Sequence, residues 1–163
     1  MSSGVDAPSK KPRHVVFSQK SSEWETPDAL YEFLDVTYHF DLDACATKEN
    51  AKCDTYYTQE TDGLEHRWIG SVFCNPPYGR GVSRWLAKGR SELTSGHCDV
   101  VVYLLPARTD TTWFHRHVWD HLAHHPRTGV ELQLLSGRLK FKGAASSAPF
   151  PSMIVIMRGE LPA

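Results

Sequence analysis

The 163-residue chain has few cysteines, and their spacing is uninformative for metal binding. Cys45, Cys53, Cys74 and Cys98 form no C-x-x-C pair, which excludes the usual structural zinc spacings. Cys45 and Cys74 sit in or beside apolar runs, where a thiol behaves as a small hydrophobe. Long apolar runs are also missing. Stretches such as Met153 to Met157 fall far short of the ~20 residues a bilayer requires. With no signal-like start legible, a reducing, cytoplasmic protein that does not enter membranes is the expectation. Basic residues are not in excess: 18 Lys and Arg face 19 Asp and Glu, for a net charge of −1. That argues against a protein that coats nucleic acid non-specifically, so any such surface must gather its cations on one side. There is no G-x-G-x-x-G fingerprint, which argues against a dinucleotide-dependent dehydrogenase. Internal repeats are absent as well.

What is present suits one globular domain: 40% hydrophobic and 23% charged residues, with five Trp, six Tyr and seven Phe. Residues 1–20 are rich in Ser, Pro, Lys and Gly and read as a flexible tail. Its Lys10, Lys11 and Arg13 are either solvated or phosphate contacts. The remaining residues, 21–163, form the expected domain. Nine His include His115, His117, His121, His124 and His125 along one stretch. No H-E-x-x-H frame or Cys pair accompanies them, so no metal is expected.

Thr26 reads as an N-cap with Pro27 at the first helical position, and Leu30, Phe33 and Leu34 supply an apolar face. His39 to Asp43 and Lys52 to Thr58 read as strands. Ser71 to Cys74 is a third, ended by two prolines. Val82 to Leu93 is helical, with Val82, Trp85, Leu86 and Leu93 inward. Asp99 to Leu105 reads as a central strand buried on both faces and ended by Pro106. Asp110 is placed to cap a helix bearing Trp113, Phe114, Val118 and Leu122. Glu131 to Leu135 and Arg138 to Phe141 read as strands joined by Ser136-Gly137, and Pro151 to Met157 as the last. Strands alternating with helices predict an α/β fold, an open sheet mixed near its C-terminal end and flanked by helices. In such sheets ligands sit beyond the carboxyl ends of the strands, where Asp43, Asn75 and Pro106-Ala107-Arg108 fall.

The sharpest feature is Asn75-Pro76-Pro77-Tyr78, directly after a hydrophobic strand. The exocyclic amine of an aromatic base is a poor nucleophile, because its lone pair is delocalised into the ring. Two acceptors aimed at its N–H groups return electron density to the nitrogen. The Asn75 side-chain oxygen and the Pro76 carbonyl are candidate acceptors. Pro76 and Pro77 fix the backbone that holds them, so little reorganisation is left for the reaction step. Tyr78 offers a face to a base rotated out of a duplex, and such stacking is worth roughly 1–3 kcal/mol.

Asn-Pro-Pro-Tyr is the catalytic motif of amino-group methyltransferases, and the chain resembles the compact phage-type DNA N6-adenine methyltransferases. The resemblance is carried by Trp24-Glu25-Thr26-Pro27, Phe40 to Ala46, Asn50-Ala51-Lys52, Asp62-Gly63-Leu64, Trp68, Phe73 to Gly79, Leu105 to Thr111, Ser136 to Phe141 and Pro151-Ser152. It implies a Rossmann-like class I methyltransferase fold, S-adenosylmethionine as methyl donor and DNA as substrate. It further implies that Thr26 and Pro27 help hold the donor's methionine end. By the same likeness Asp43 lies near the donor's amino group, Ala44 and Cys45 line that pocket, and Asp62 contacts the adenine moiety. Asn75 borders both reactants. One departure stands out: Asp43-Ala44-Cys45-Ala46-Thr47 lacks the glycine-rich loop that many such enzymes carry after the first strand.

Candidate DNA contacts form two sets. Arg80, Arg84 and Lys88 are spaced by four and make one basic stripe on a helix. Arg138, Lys140 and Lys142 alternate and share one face of a strand. The loop from Gly143 to Pro149 is then expected to be flexible and able to close over a bound strand. Arg108 either pairs with Asp110 or binds a phosphate. Trp113 and Phe114 read as core. Two alternatives remain: an amino-methyltransferase acting on RNA or on a protein glutamine, and a non-catalytic binding relative. Target sequence and oligomeric state are not legible.

Overall fold

A computed structural model describes residues 24–159. The expected tail, with Lys10, Lys11 and Arg13, lies outside them. Three helices, α1 (Asp28–Tyr38), α2 (Val82–Thr94) and α3 (Thr112–His117), accompany eight strands. These are β1 (Leu42–Asp43), β2 (Thr55–Tyr56), β3 (Gly70–Cys74), β4 (Cys98–Pro106), β5 (Trp119–Asp120), β6 (His125–Pro126), β7 (Val130–Leu134) and β8 (Ser152–Arg158). The main sheet has six strands in the order β2-β1-β3-β4-β8-β7. β1 to β4 run parallel, whereas β8 and β7 are antiparallel to their neighbours. This is the mixed α/β sheet expected, consistent with a Rossmann-like methyltransferase fold. Among the described residues no helix is long and apolar enough to cross a membrane.

β4 shows why the sheet is central. Its run of β-branched and aromatic residues is buried on both faces, so hydrophobicity does not alternate. The faces still separate with period two. Val101, Tyr103 and Leu105 join Met153, Val155 and Met157 of β8 beneath α2 and α3. Val100, Val102 and Leu104 join Ile154 and Ile156 beneath α1 and the segment bearing Phe141 and Phe150. α2 buries Val82, Trp85, Leu86 and Leu93 as its spacing predicts.

Several boundaries differ from the sequence reading, each for a local reason. Thr26 does not cap α1; Pro27 occupies the N-cap without a side-chain bond, and the Thr26 hydroxyl is engaged elsewhere. Phe33 is 71% exposed, so only Tyr31 and Leu34 form the fully buried face of α1. His39 takes a left-handed conformation (φ 48°) and ends that helix, which shortens the first strand to Leu42–Asp43. The second strand likewise shrinks to Thr55–Tyr56. Thr111, not Asp110, caps α3 by accepting from the Phe114 N–H. That helix stops at His117 because the Asp120 carboxylate accepts the N–H groups of Leu122 and Ala123 in a turn. The His-rich stretch is therefore split: His115 and His117 end α3, His121, His124 and His125 fall in the hairpin of β5 and β6, and Leu122 is 81% exposed. Arg138 to Phe141 is not a strand. Gly137 turns at φ 72°, and the Leu139 carbonyl accepts from Ala148 within the same segment. The 143–149 loop is thereby folded back, with Ala144 and Ala148 packed against the aromatic side of the core.

Candidate active site

The sheet's winding reverses beside β1: β2 pairs on one side of it, while β3 and then β4 lie on the other. Such a reversal opens a crevice at the carboxyl ends of the strands. A cavity of 760 Å³ occupies that place, and its wall includes Thr26, Asp43, Cys45, Asp62, Asn75, Pro77, Tyr78, Arg80 and Arg84. The volume lies within the usual range for small-molecule sites.

Asn75 directly follows β3. Its amide nitrogen donates to the Trp24 carbonyl at 2.7 Å and to the Thr26 hydroxyl at 3.0 Å. A main-chain carbonyl only accepts, so the amide cannot be turned over. Both N–H groups are thus spent on the strap before α1, and Oδ1 is left as the atom available to the cavity. Pro76, next in the chain, is buried and does not line the cavity. The Tyr78 hydroxyl donates to the Leu104 carbonyl at 3.3 Å, and its ring meets Phe150 edge-on at 5.7 Å and Phe141 at 6.4 Å. Burial raises the Tyr78 pKa well above its usual value, so the hydroxyl stays protonated. Trp24 packs edge-on against the same Phe141 and Phe150, so both aromatic walls of the cavity share one support.

Asp43, at the end of β1, is 3% exposed. Its carboxylate accepts from the N–H groups of Lys52 (3.0 Å) and Cys45 (3.4 Å). Burial outweighs those bonds and pushes its pKa up to about 6. Between β1 and β2 a reciprocal turn forms: Thr47 N–H donates to Asn50 Oδ1 at 2.6 Å, and Asn50 N–H to Thr47 Oγ1 at 3.2 Å. Asp62 sits at φ 53° and accepts from Leu64 N–H at 3.0 Å, turning the chain beneath the cavity. Burial raises the Cys45 thiol to about 12, so it is a neutral wall and not a nucleophile.

The missing glycine-rich loop has a structural counterpart. The Asp43–Thr47 segment continues the pairing of the sheet, with Ala44 N–H on the Phe73 carbonyl and Ala46 N–H on the Tyr57 carbonyl. Gly63 packs closely against that segment, where a Cβ would collide with the Ala44 carbonyl. Ala44 itself is fully buried and stands behind the cavity wall, and Pro27 begins α1 outside it. Sequence reasoning did not find Thr58 and Gln59, which line the cavity just past β2. A carboxyl end of a parallel strand was their only signal, and a two-residue strand is too short to display it.

The basic residues divide. Arg80 precedes α2 and Arg84 lies within it; both border the cavity. Lys88 is instead tied to Glu92 on the same helix, and Glu92 also meets His97 at 2.8 Å, so the expected stripe ends at Arg84. Arg108 lies over the Phe150 ring at 5.7 Å, and no ion pair joins it to Asp110 among the described residues. Arg138 and Lys140 are exposed. Lys142 reaches Asp28 at 2.9 Å and Glu25 at 3.9 Å, and its N–H donates to the Glu25 carbonyl at 2.9 Å. Its first task is thus to fasten the strap. No grouping of three or more metal-ligating side chains occurs among the described residues.

Comparison with known proteins places this geometry in context. A DNA N-6-adenine-methyltransferase (Dam) family model matches residues 15–161. The chain is 38% identical over 95 residues to the DNA N-6-adenine-methyltransferase of Escherichia phage T1, covering 56% of this chain and 38% of that protein. It is also 36% identical over 76 residues to the putative methyltransferase YfdM of Escherichia coli (strain K12), covering 42% of this chain and 82% of that one. The matched part is thus well under half of the phage T1 protein. A family match that spans both the strap and the strand ends around the cavity leaves one assignment: the chain belongs to the DNA N-6-adenine-methyltransferase (Dam) family.

Proposed function

We propose that the protein transfers a methyl group from S-adenosylmethionine to the N6 amine of an adenine in DNA. The observation that carries this reading is the Asn75 amide, held by Trp24 and Thr26 so that Oδ1 is left to the cavity beside Tyr78. Methyltransferases use S-adenosylmethionine in general, and the cavity suits such a donor. Asp43 and Asp62 offer carboxylates to a cation, and Leu64, Phe73 and Trp85 give an apolar wall. When bound, the donor would supply a methyl group from a positively charged sulfur: the amine nitrogen takes the methyl, the sulfur leaves as a neutral thioether, and the methylated amine gives up one proton to solvent.

The chain's own residues do the rest. Asp43, Cys45, Thr47, Asn50, Asp62 and neighbouring backbone hold the donor. Asn75 Oδ1 and the Pro76 carbonyl accept the two N–H groups of the target amine and raise the electron density on its nitrogen. Because Pro76 and Pro77 hold the turn rigid, those acceptors are in place before the base arrives. Tyr78 stacks on the base, and its ring is held in place, because its hydroxyl is bonded to β4 and its ring makes a T-shaped contact with Phe150. Fixing both reactants in line supplies much of the rate. Arg80 and Arg84 lie at the cavity and contact phosphates, with Arg108, Arg138 and Lys140 as further candidates.

The test is to offer the protein a labelled methyl donor with DNA, RNA and protein, then identify the modified unit after digestion. Label in N6-methyladenine from DNA is expected, and label in glutamine or in RNA alone defeats the reading. Asn75→Ala is expected to abolish transfer while donor binding measured by calorimetry persists. Retained transfer removes Asn75 from the mechanism.

A further inference from the structure

An asparagine amide is nearly symmetric in shape. Rotating it half a turn swaps its oxygen for its NH2 group at almost no steric cost. In the swapped state Asn75 would present donors to the cavity, and donors repel the N–H groups of an amine. Something must therefore fix which way round the amide lies. The Trp24 carbonyl at 2.7 Å does so, because it can only accept. The Thr26 hydroxyl at 3.0 Å accepts the second N–H and so holds the amide in that orientation. Thr26 is 3% exposed, so water does not readily replace it. The strap that carries both is fastened from the far side, where Lys142 N–H donates to the Glu25 carbonyl and the Lys142 ammonium meets Asp28.

We propose that Thr26 is a positioning residue that, together with the Trp24 carbonyl, holds the Asn75 amide with its oxygen toward the substrate amine. The proposal rests on the reading that Asn75 Oδ1 accepts from that amine. It differs from the role the family resemblance implies for Thr26, which is to hold the methionine end of the donor. The two roles separate cleanly, because a holding role acts on donor affinity and a positioning role on turnover.

Thr26→Val keeps the shape of the side chain and removes the acceptor. The expected result is a fall in kcat of roughly ten- to a hundredfold, as for a misplaced reacting group. The KM for DNA and the Kd for S-adenosylhomocysteine should stay within about threefold of the parent. Thr26→Ser, which restores a hydroxyl, should recover kcat to within about threefold. Unchanged turnover in Thr26→Val overturns the proposal, and so does a loss confined to donor affinity. Should that variant fail to fold, the parent protein decides. The two side-chain amide protons of Asn75, followed by NMR, should be protected from solvent exchange; exchange as fast as in free asparagine overturns it. A parent protein that methylates no adenine defeats the functional reading instead, and the amide measurement still reports on whether Trp24 and Thr26 hold Asn75.

Discussion

At Asp43 the proposed donor contact sits on a carboxyl whose burial costs stability. Its folded pKa of about 6 lies above the ordinary value of 3.8. The sign follows from linkage. The folded state holds the proton more tightly, so the cost of ionising this buried carboxyl is absent below about pH 4 and full above about pH 6. A shift of that size corresponds to roughly 2–3 kcal/mol. A bound cation offsets the cost by stabilising the carboxylate. The carboxyl carbon of Asp43 should therefore titrate near pH 6 in the ligand-free protein and at lower pH with donor bound. Donor affinity should rise as pH increases through that region. A midpoint near 4 in the ligand-free protein, with pH-independent affinity, contradicts the role given to burial. The sequence showed this acid at a strand's end but not its burial, which depends on Lys52 and Cys45 closing over it.

Among the elements, α2 carries a substitution whose effect runs against helix propensity. Gly to Ala within a helix normally stabilises by roughly 0.5–1 kcal/mol. At Gly89 a Cβ would strike the Tyr103 hydroxyl, which donates to the Trp85 carbonyl at 2.9 Å. Gly89→Ala is therefore expected to destabilise by about 1–3 kcal/mol, the range for overpacking a core. Thermal unfolding checks this, and a rise in Tm contradicts it. The long elements were legible from sequence because their patterns are strong: α2 by its buried side, β4 and β8 by unbroken apolar runs. The short ones were not. β1 and β2 are two residues each; β1 is paired by β2 and β3 and β2 by β1 alone, long-range partners that no local pattern encodes. The Arg138–Phe141 segment has the alternation of a strand, with Leu139 and Phe141 inward and Arg138 and Lys140 outward. Its only β-bridge among the described residues is at the next residue, Lys142 to Glu25 of the strap, so alternation there reports burial rather than sheet.

On the scale of the whole molecule, a net charge of −1 leaves DNA affinity to local cations. Arg84 borders the cavity from α2 and is exposed, whereas Lys88 one turn on is already paired with Glu92. Arg84→Ala should lower the slope of log affinity against log salt by about one, the amount for one phosphate contact. Lys88→Ala should leave the slope nearly unchanged. Equal effects from both contradict this division. The cavity itself was foreseeable in outline, since Asp43 and Asn75 both fall at carboxyl ends of strands. Its depth was not, because it depends on Gly63, Thr58 and the Trp24–Thr26 strap arriving from distant parts of the chain.

The most direct test is a structure of the protein with S-adenosylhomocysteine and a short adenine-containing DNA. The expected result is an unstacked adenine on Tyr78, with N6 about 2.7–3.2 Å from Asn75 Oδ1 and from the Pro76 carbonyl. The Asn75 nitrogen should remain on Trp24 and Thr26. An adenine seated away from Asn75, or an amide turned with its nitrogen toward the base, contradicts the mechanism.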